Sequence, residues 1–338
     1  MAYRITPLKF MHKNWLLIGI LCCIFAAGVY PKLGSKEGPL WTQYTVKYGA
    51  IFIIFFSSGV SLKTENIYRA MRQYKLHGFI QLFTFLFVPV FAVIFVKCLS
   101  IINVHPWVLK GIFTVASMPP PVSSAVILTR AAQGNEAAAI FNSVLGSFMG
   151  IVLTPILLLF HLGSTTIVPF LDTVLQLMVT VLLPLLIGQV LKMWLNVQFR
   201  HVALNTLSQC ALLFVIYTTF CDTFLVTETG LSAVDVLYTI FSVLLMQISL
   251  VLICFNVAKK FDQYYSPPDV IAIVFCSTHK SLTLGIPILR IMFHGYSHLS
   301  QISLPLLVYH PMQIILGGLV APQIKDWMHA QSAKKLTV

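Results

Sequence analysis

One segment late in the chain collects side chains that could bind an ion or a solute. The stretch CSTHKSLTLGIPIL, residues 276–289, carries Ser277, Thr278, His279, Lys280, Ser281 and Thr283. Hydroxyl oxygens suit hard cations such as sodium or calcium, whereas a lysine attracts an anionic group. The flanking residues are apolar, and a lysine in the centre of a membrane span costs about 2.5–3.5 kcal/mol on insertion scales. Lys280 must therefore be paired, wetted or neutral.

Three roles are open for Lys280. It is either the cation of an anion-binding site, a built-in cation that stands where a sodium ion would otherwise bind, or one partner of a structural ion pair between two helices. A fourth role, a Schiff-base lysine holding a chromophore, fits the sequence poorly. Both functional roles require helices that break around the lysine and expose their backbone.

A second stretch, SMPPPVSSAVILTR at residues 117–130, has such a break. Pro119, Pro120 and Pro121 lack three backbone donors and forbid a regular helix. Ser123 and Ser124 follow the prolines. In the later stretch, Gly285 and Pro287 are the corresponding helix-breaking residues. Because unpaired carbonyls are costly in hydrocarbon, both breaks are expected to face protein or an internal cavity.

The two stretches share a register. Three residues of the first recur 161 positions later in the second: Ile127, Leu128 and Gly134 match Ile288, Leu289 and Gly295. The same offset pairs Pro119 with Lys280. We therefore predict two inverted repeats, residues 1–161 and 162–338, in one membrane domain, 1–338. Interrupted helices at matching positions of two repeats indicate the binding site of a transporter.

The composition indicates which elements carry these residues. The chain is 58% hydrophobic and 9% charged, whereas soluble proteins are about 25% charged. This pattern predicts an all-α polytopic membrane protein. Since about 20 apolar residues span a bilayer, we predict ten transmembrane helices, at roughly 14–30, 44–62, 77–96, 107–129, 137–160, 170–191, 203–225, 234–258, 269–291 and 299–324.

The basic residues orient these helices. Fifteen of the 22 lysines and arginines fall on the side that holds both termini, and five fall on the other side. This bias predicts that both termini are cytoplasmic. It also explains the net charge of +12 by contact with the lipid bilayer and without a nucleic-acid partner. The seven cysteines show no metal-ligand spacing, and HExxH, GxSxG and phosphate-loop motifs are absent. We predict neither an enzyme nor a cofactor.

Other polar residues in apolar segments are further candidates for the ion or solute site. Glu136 also suits the first turn of a helix, where a carboxylate favours the helix dipole. Asn142 and Ser143 lie about two turns further on. Four weaker candidates come from other segments: Thr84, Asp222, His310 and Gln313.

Five motifs carry a resemblance to a known family. They are FFSSGVSLKTE (55–65), MPPPVSSAVILT (118–129), GNEAAAIFNS (134–143), YTTFCDTF (217–224) and CSTHKSLTLGIP (276–287). Together they resemble one branch of the sodium/bile acid cotransporter family over nearly the whole chain. The resemblance implies the bile-acid-transporter fold. In that fold, ten helices form two inverted repeats, helices 4 and 9 are discontinuous and cross in a core domain, and a panel domain completes the alternating-access site.

The resemblance also bears on sodium. Relatives that carry bile acids use a Ser-Asn pair after the first break, which Ser123 and Ser124 match with a serine in place of asparagine. They use hydroxyls on helix 5, where Ser143 matches and Ala139 does not. Their glutamate and glutamine on helix 9 are missing here, and Lys280 is added. A fixed positive charge opposes a bound cation at short range, so sodium coupling is open.

This branch of the family is associated with restraint of calcium entry, secretory-pathway glycosylation and skeletal mineralisation. The resemblance therefore implies a multi-pass protein of the plasma membrane and of endoplasmic reticulum and Golgi membranes. Our leading hypothesis is a transporter of a small anionic solute that lowers calcium entry. The alternative is a membrane regulator that transports nothing and contacts the calcium-entry machinery.

Overall fold

The described part of the chain is helical. The computed structural model describes residues 15–35, 37–61, 73–102, 104–162, 175, 179–180, 183–195, 201–225, 233–293 and 298–336, and these residues include no strand. The helices are α1 Trp15–Val29, α2 Pro31–Gly34, α3 Thr42–Tyr44, α4 Ile51–Ser61, α5 Tyr74–Leu82, α6 Val88–Ser100, α7 Pro106–Ala116, α8 Val122–Ala131, α9 Glu136–Leu162, α10 Leu183–Leu195, α11 His201–Leu225, α12 Ala233–Ala258, α13 Pro267–Thr278, α14 Leu282–Met292 and α15 Leu299–Leu336. Two π-helical segments, Thr45–Ala50 and Phe83–Phe87, continue α3 into α4 and α5 into α6.

Several helices are long enough to cross a membrane. Five helical segments of the described residues are long and apolar enough to cross a bilayer: Tyr74–Ser100, Glu136–His161, Val234–Phe261, Pro267–Met292 and Leu299–Gln331. Shorter apolar helices accompany them, such as Ile18–Val29 and Thr206–Cys221. These segments confirm the prediction of an all-helical, multi-pass membrane protein. The number ten and the inverted repeats stay predictions.

The chain divides into two compact units. The first contains α1 to α4, α10 and α11, and in it α4 packs along α10. A Cβ on Gly188 would lie 2.4 Å from the carbonyl oxygen of Phe56. Because glycine has no side chain, the backbones of α4 and α10 approach each other closely, as is common between membrane helices.

The second unit contains α5 to α9, α12 to α14 and α15 from Gln301 onward. Its helix α13 starts at a fully formed cap. Ser266 and Asp269 form a reciprocal capping box, and a proline stands in the first turn. The side chain of Asn135 donates to Asp269 Oδ1 at 2.7 Å, and the Asn135 N–H donates to the Pro268 carbonyl at 2.9 Å. The start of α9 is therefore fixed to the start of α13.

Two pairs of successive helices in the second unit are separated by a short non-helical segment. Helix α7 ends at Ala116 and α8 begins at Val122, with the three prolines between them. Helix α13 ends at Thr278 and α14 begins at Leu282. The connection 279–281 contains no proline, and His279 takes an extended backbone conformation with φ −81° and ψ 147°. We call residues 117–121 the first interruption and residues 279–281 the second interruption.

Candidate functional site

Lys280 lies between α13 and α14 of the second unit and is fully buried. Its Nζ donates to the carbonyl oxygens of Met118 at 2.9 Å, Ala116 at 3.0 Å and Thr84 at 3.4 Å. Two of these carbonyls belong to the C-terminal end of α7 and its continuation, where the helix dipole is negative. In the described part of the chain no carboxylate is among its partners. The ammonium is therefore held by neutral backbone oxygens, in the way that a metal cation is.

The four carbonyls from Ala116 to Pro119, at the end of α7 and the start of the first interruption, all find donors. Ala116 and Met118 accept from Lys280. Between them, Ser117 accepts from the hydroxyl of Thr154 at 2.8 Å, and Pro119 accepts from the Ser281 N–H at 2.8 Å. Four consecutive carbonyls are thus satisfied by two other segments of the unit, the second interruption and α9. This pairing offsets the cost that an interrupted helix has in a membrane.

The prolines of the first interruption rest on glycines of α9. A Cβ on Gly146 would lie 2.5 Å from Pro120 Cγ, and a Cβ on Gly150 would lie 2.6 Å from Pro119 Cβ. Thr154 follows at the same spacing of four residues, which places all three on one face of α9. One face of this helix therefore supplies both the space for the proline rings and a hydroxyl for the exposed carbonyl.

A single amide holds the second interruption. Gln313 of α15 accepts from the Lys280 N–H at 2.7 Å and donates to the Lys280 carbonyl at 2.9 Å. The same amide nitrogen lies 3.1 Å from Nδ1 of His310. One turn earlier on α15, the hydroxyl of Tyr309 donates to the Thr278 carbonyl at 2.7 Å. Helix α15 therefore replaces the helical hydrogen bonds that α13 and α14 lose at this point.

Several buried side chains beside these satisfied backbones have no hydrogen-bond partner among the described residues. Both ring nitrogens of His279 are unpartnered, and the ring is fully buried with its plane edge-on to Phe275. The hydroxyls of Thr84 and Ser124 are also buried without partners. Each such group costs about 1–3 kcal/mol. Groups of this kind are candidates for contact with water, an ion or a solute.

Gln247 of α12 is a further polar group of this kind, fully buried with neither amide atom bonded among the described residues. The Cys254 thiol donates to the Ile273 carbonyl across the packed pair α12 and α13. These two helices follow one another through a short connection and run antiparallel. Gln247 lies seven residues before Cys254, and Lys280 lies seven residues after Ile273. At 1.5 Å per residue, Gln247 and Lys280 lie at about the same depth.

The other sequence candidates fall in several places. Asn142 bonds to the side chains of His77 at 2.9 Å and Gln81 at 3.3 Å, and is fully buried. The hydroxyl of Ser143 contacts the thiol of Cys276. Thr283 lies 3.2 Å from the Ser281 hydroxyl at the start of α14. Ser277 is buried on the last turn of α13.

Two acidic candidates lie apart from the interruptions. Glu136 occupies the first turn of α9 and pairs with Arg130, whose side chain is two-thirds exposed. This contact raises the pKa of the Arg130 guanidinium. Asp222 belongs to α11 in the first unit, and its side chain lies outside the described residues, as does that of Ser123.

The structure corrects the location of the second interruption. Gly285 and Pro287 lie inside α14, which continues through both residues, and the break comes earlier, at residues 279–281. A proline within a helix removes one hydrogen bond and can be accommodated by a bend. Gly285 instead allows close packing, since a Cβ there would lie 2.5 Å from Leu306 Cδ2.

The sequence analysis did not identify some residues that contact the two interruptions or lie near them. Gly146, Gly150 and Thr154 repeat at a spacing of four, which was a detectable signal because small residues at this spacing mark helix contacts in membranes. Tyr309 and Gln247 gave no such signal, because single polar residues in apolar helices do not reveal their partners.

Comparisons with known proteins identify the family of the chain. Residues 14–326 match the SBF-like CPA transporter family. The chain belongs to this family. It is 49% identical to the sodium/bile acid cotransporter 7 of Xenopus tropicalis over 98% of this chain and 97% of that protein. It is 48% identical to the protein of the same name in Rattus norvegicus, over 98% of each chain. A solute carrier of Candida albicans, RCH1, is 22% identical over 98% of this chain.

The family membership confirms the resemblance that the five motifs indicated. The vertebrate relatives, named sodium/bile acid cotransporter 7, also confirm the branch of the family. The chain is thus a membrane protein of a transporter family, and its relatives are named as transport proteins and not as enzymes.

Proposed function

We propose that this SBF-like protein transports a small solute without sodium, because Lys280 supplies the cation that a sodium ion supplies elsewhere. The observation that carries this proposal is the set of three carbonyl oxygens around the Lys280 Nζ. Convergent carbonyls at a helix C-terminus form a cation site. An ammonium that already occupies such a site excludes a second cation at short range by charge repulsion.

The proposed solute site lies beside this lysine, where the two interruptions meet within the second unit. The unpartnered polar groups of His279, Thr84, Ser124 and Gln247 support this position. We place the interruptions in helices 4 and 9 of ten, arranged as two inverted repeats. Lys280 uses its three donors on backbone oxygens, so it neutralises the site as a whole and leaves direct contact with the solute to other groups.

An anionic solute is favoured by the start of α8. Its N-cap residue, Pro121, makes no side-chain cap, so no N-cap side chain bonds to the N–H groups of the first turn. The buried, unpartnered hydroxyl of Ser124 lies in that first turn. Helix N-termini carry a partial positive charge and bind anions. The name of the vertebrate relatives suggests bile acids as the first anions to test.

The test is flux into liposomes that contain the purified full-length chain. We expect uptake of an organic anion, such as taurocholate or a member of a wider panel of anions, to be equal in sodium and in choline medium. The conservative Lys280→Arg variant should keep this independence. In Lys280→Ser, which opens space among the carbonyls, uptake should depend on sodium. Sodium-dependent uptake by the unmodified chain would overturn the proposal.

A second function is favoured by the completeness of the hydrogen bonding at the interruptions. Backbone groups that pair with each other leave less for a solute, as in a membrane protein that regulates calcium entry and no longer transports. This second proposal includes cell-surface and secretory-pathway membranes and calcium-entry machinery as a partner. Absence of flux for every solute of the panel, by protein that is folded in the liposomes, would favour it over the first.

A further inference from the structure

A pocket lies at one end of the second unit, away from the two interruptions. It has a volume of about 310 Å³ and opens where α12 leads into α13, against the C-terminal part of α15. We call it the α12–α13 pocket. The residues that define it chemically are Lys259, Lys260, Asp262, Tyr265, Trp327 and Gln331. No solute or ion site proposed above uses any of them.

Two aromatic side chains, Tyr265 and Trp327, line this pocket, and we call them its aromatic floor. The Lys259 Nζ lies 5.3 Å from the centroid of the Phe255 ring, and Trp327 meets the same ring edge-on at 4.9 Å. Phe261 and Tyr264 are exposed nearby on the connection. Lys75 lies over the Tyr264 ring at 4.2 Å. Aromatic rings with lysines at the ends of apolar helices are typical of the membrane–water interface.

The charge of the pocket is positive and not internally neutralised. Lys260 makes no hydrogen bond or ion pair with the described residues, and Lys259 makes only its contact with Phe255. Asp262 is the single carboxylate among the lining residues and forms a salt bridge with neither lysine. Lysines at the end of α12 also complement its dipole. That simpler role requires neither a concave wall nor the aromatic floor.

We propose that the α12–α13 pocket binds a phosphate ester, as carried by an anionic lipid headgroup. Two ammonium groups at one rim match the several oxygens of a phosphate, and the aromatic floor suits the adjoining glycerol and acyl carbons. Basic pockets between transmembrane helices bind phosphorylated headgroups in this way. The positive-inside count predicts that this end of the unit faces the cytoplasm, where such lipids are abundant.

The test measures binding to the full-length chain in nanodiscs. The probe is a fluorescent short-chain phosphatidylinositol bisphosphate, added to phosphatidylcholine discs and to discs with added phosphatidylserine, which raises charge without a phosphate monoester. We expect Lys259→Gln/Lys260→Gln to bind about 25-fold more weakly, since each lysine near such a headgroup contributes about fivefold. Asp262→Asn should bind about two- to fivefold more tightly, because it removes the opposing charge.

The matched control is Lys97→Gln/Lys110→Gln. It removes the same charge from the second unit, and Lys110 also lies over an aromatic ring, that of Trp107 at 4.2 Å. Equal weakening by both double variants, or an unchanged affinity of Lys259→Gln/Lys260→Gln, would overturn the proposal. If free inositol bisphosphate competes when its concentration equals that of the lipid, the pocket binds a soluble phosphate ester. If it does not compete, the pocket binds the lipid.

Discussion

The two interruptions solve the same problem with opposite chemistry. At the first, three prolines leave a segment that has carbonyls and few N–H groups, and its donors come from Lys280, Thr154 and Ser281. The second keeps its N–H groups, adds the ammonium of Lys280, and has its own backbone bonded by Gln313. One segment offers acceptors and the other offers donors.

This difference makes the two segments complementary. The sequence offset pairs Pro119 with Lys280, and in the structure the residue after Lys280 donates to the Pro119 carbonyl at 2.8 Å. The loss of donors at one position and the gain of donors at the matching position leave neither segment able to satisfy its polar groups alone. The comparison therefore predicts that damage to the donors of the second interruption destabilises both.

Lys280→Met should have the largest effect on stability. It keeps a long apolar side chain but leaves the Ala116 and Met118 carbonyls without their donor. We expect the free energy of unfolding to fall by about 3 kcal/mol, because each orphaned buried acceptor costs about 1–3 kcal/mol. Thermal unfolding in detergent measures this against Lys97→Met, an exposed lysine in α6. An equal or higher stability of Lys280→Met would mean that the buried ammonium is only a cost.

Gln313→Leu should have the next largest effect, about 2 kcal/mol, because the N–H and carbonyl of Lys280 lose their shared partner. Gln313→Glu is the informative comparison, since a neutral glutamic acid keeps an acceptor for the N–H and has an O–H donor for the carbonyl. At a pH that keeps this carboxyl protonated, the same unfolding experiment should place it between Gln313→Leu and the unmodified chain. If Gln313→Leu unfolds at the same temperature as the unmodified chain, α15 does not hold the second interruption.

Gly150→Ala should have the smallest of the three effects, about 1–2 kcal/mol, by overpacking against the rigid ring of Pro119. The control is Gly318→Ala, where no atom lies within 4 Å of the added Cβ. In a helix this control should be neutral or slightly stabilising. Equal unfolding temperatures for the two variants would show that α9 shifts to accommodate the added methyl group against Pro119 at little cost in stability.

The fold class followed from the sequence more readily than the contacts did. Apolar runs and sparse charge predicted an all-helical membrane protein, and the motifs predicted its family. Both predictions succeed because apolar runs and motifs are short stretches of sequence that can be recognised without knowing which helices meet. The break at residues 279–281 was placed too late, at Gly285 and Pro287, because proline is a strong signal and Gln313 is not. An extended segment that is stabilised by a distant amide has no local signature.

The site shows the same limit. Lys280, Gln313 and Thr84 were each recognisable as polar residues in apolar helices. That the lysine would bind backbone oxygens and the glutamine would bind the backbone of the lysine depends on which helices meet. The flux experiment in liposomes tests the sodium independence that this geometry predicts.

The ammonium of Lys280 differs from a bound ion in one respect, its covalent attachment to the chain. A sodium ion that enters with a solute and leaves on the other side lets the membrane's sodium gradient do work on that solute. A tethered charge returns with the protein at every cycle and transfers no electrochemical potential. Under the proposed transport without sodium, the solute's own gradient, or that of a different ion, would set the direction of net transport.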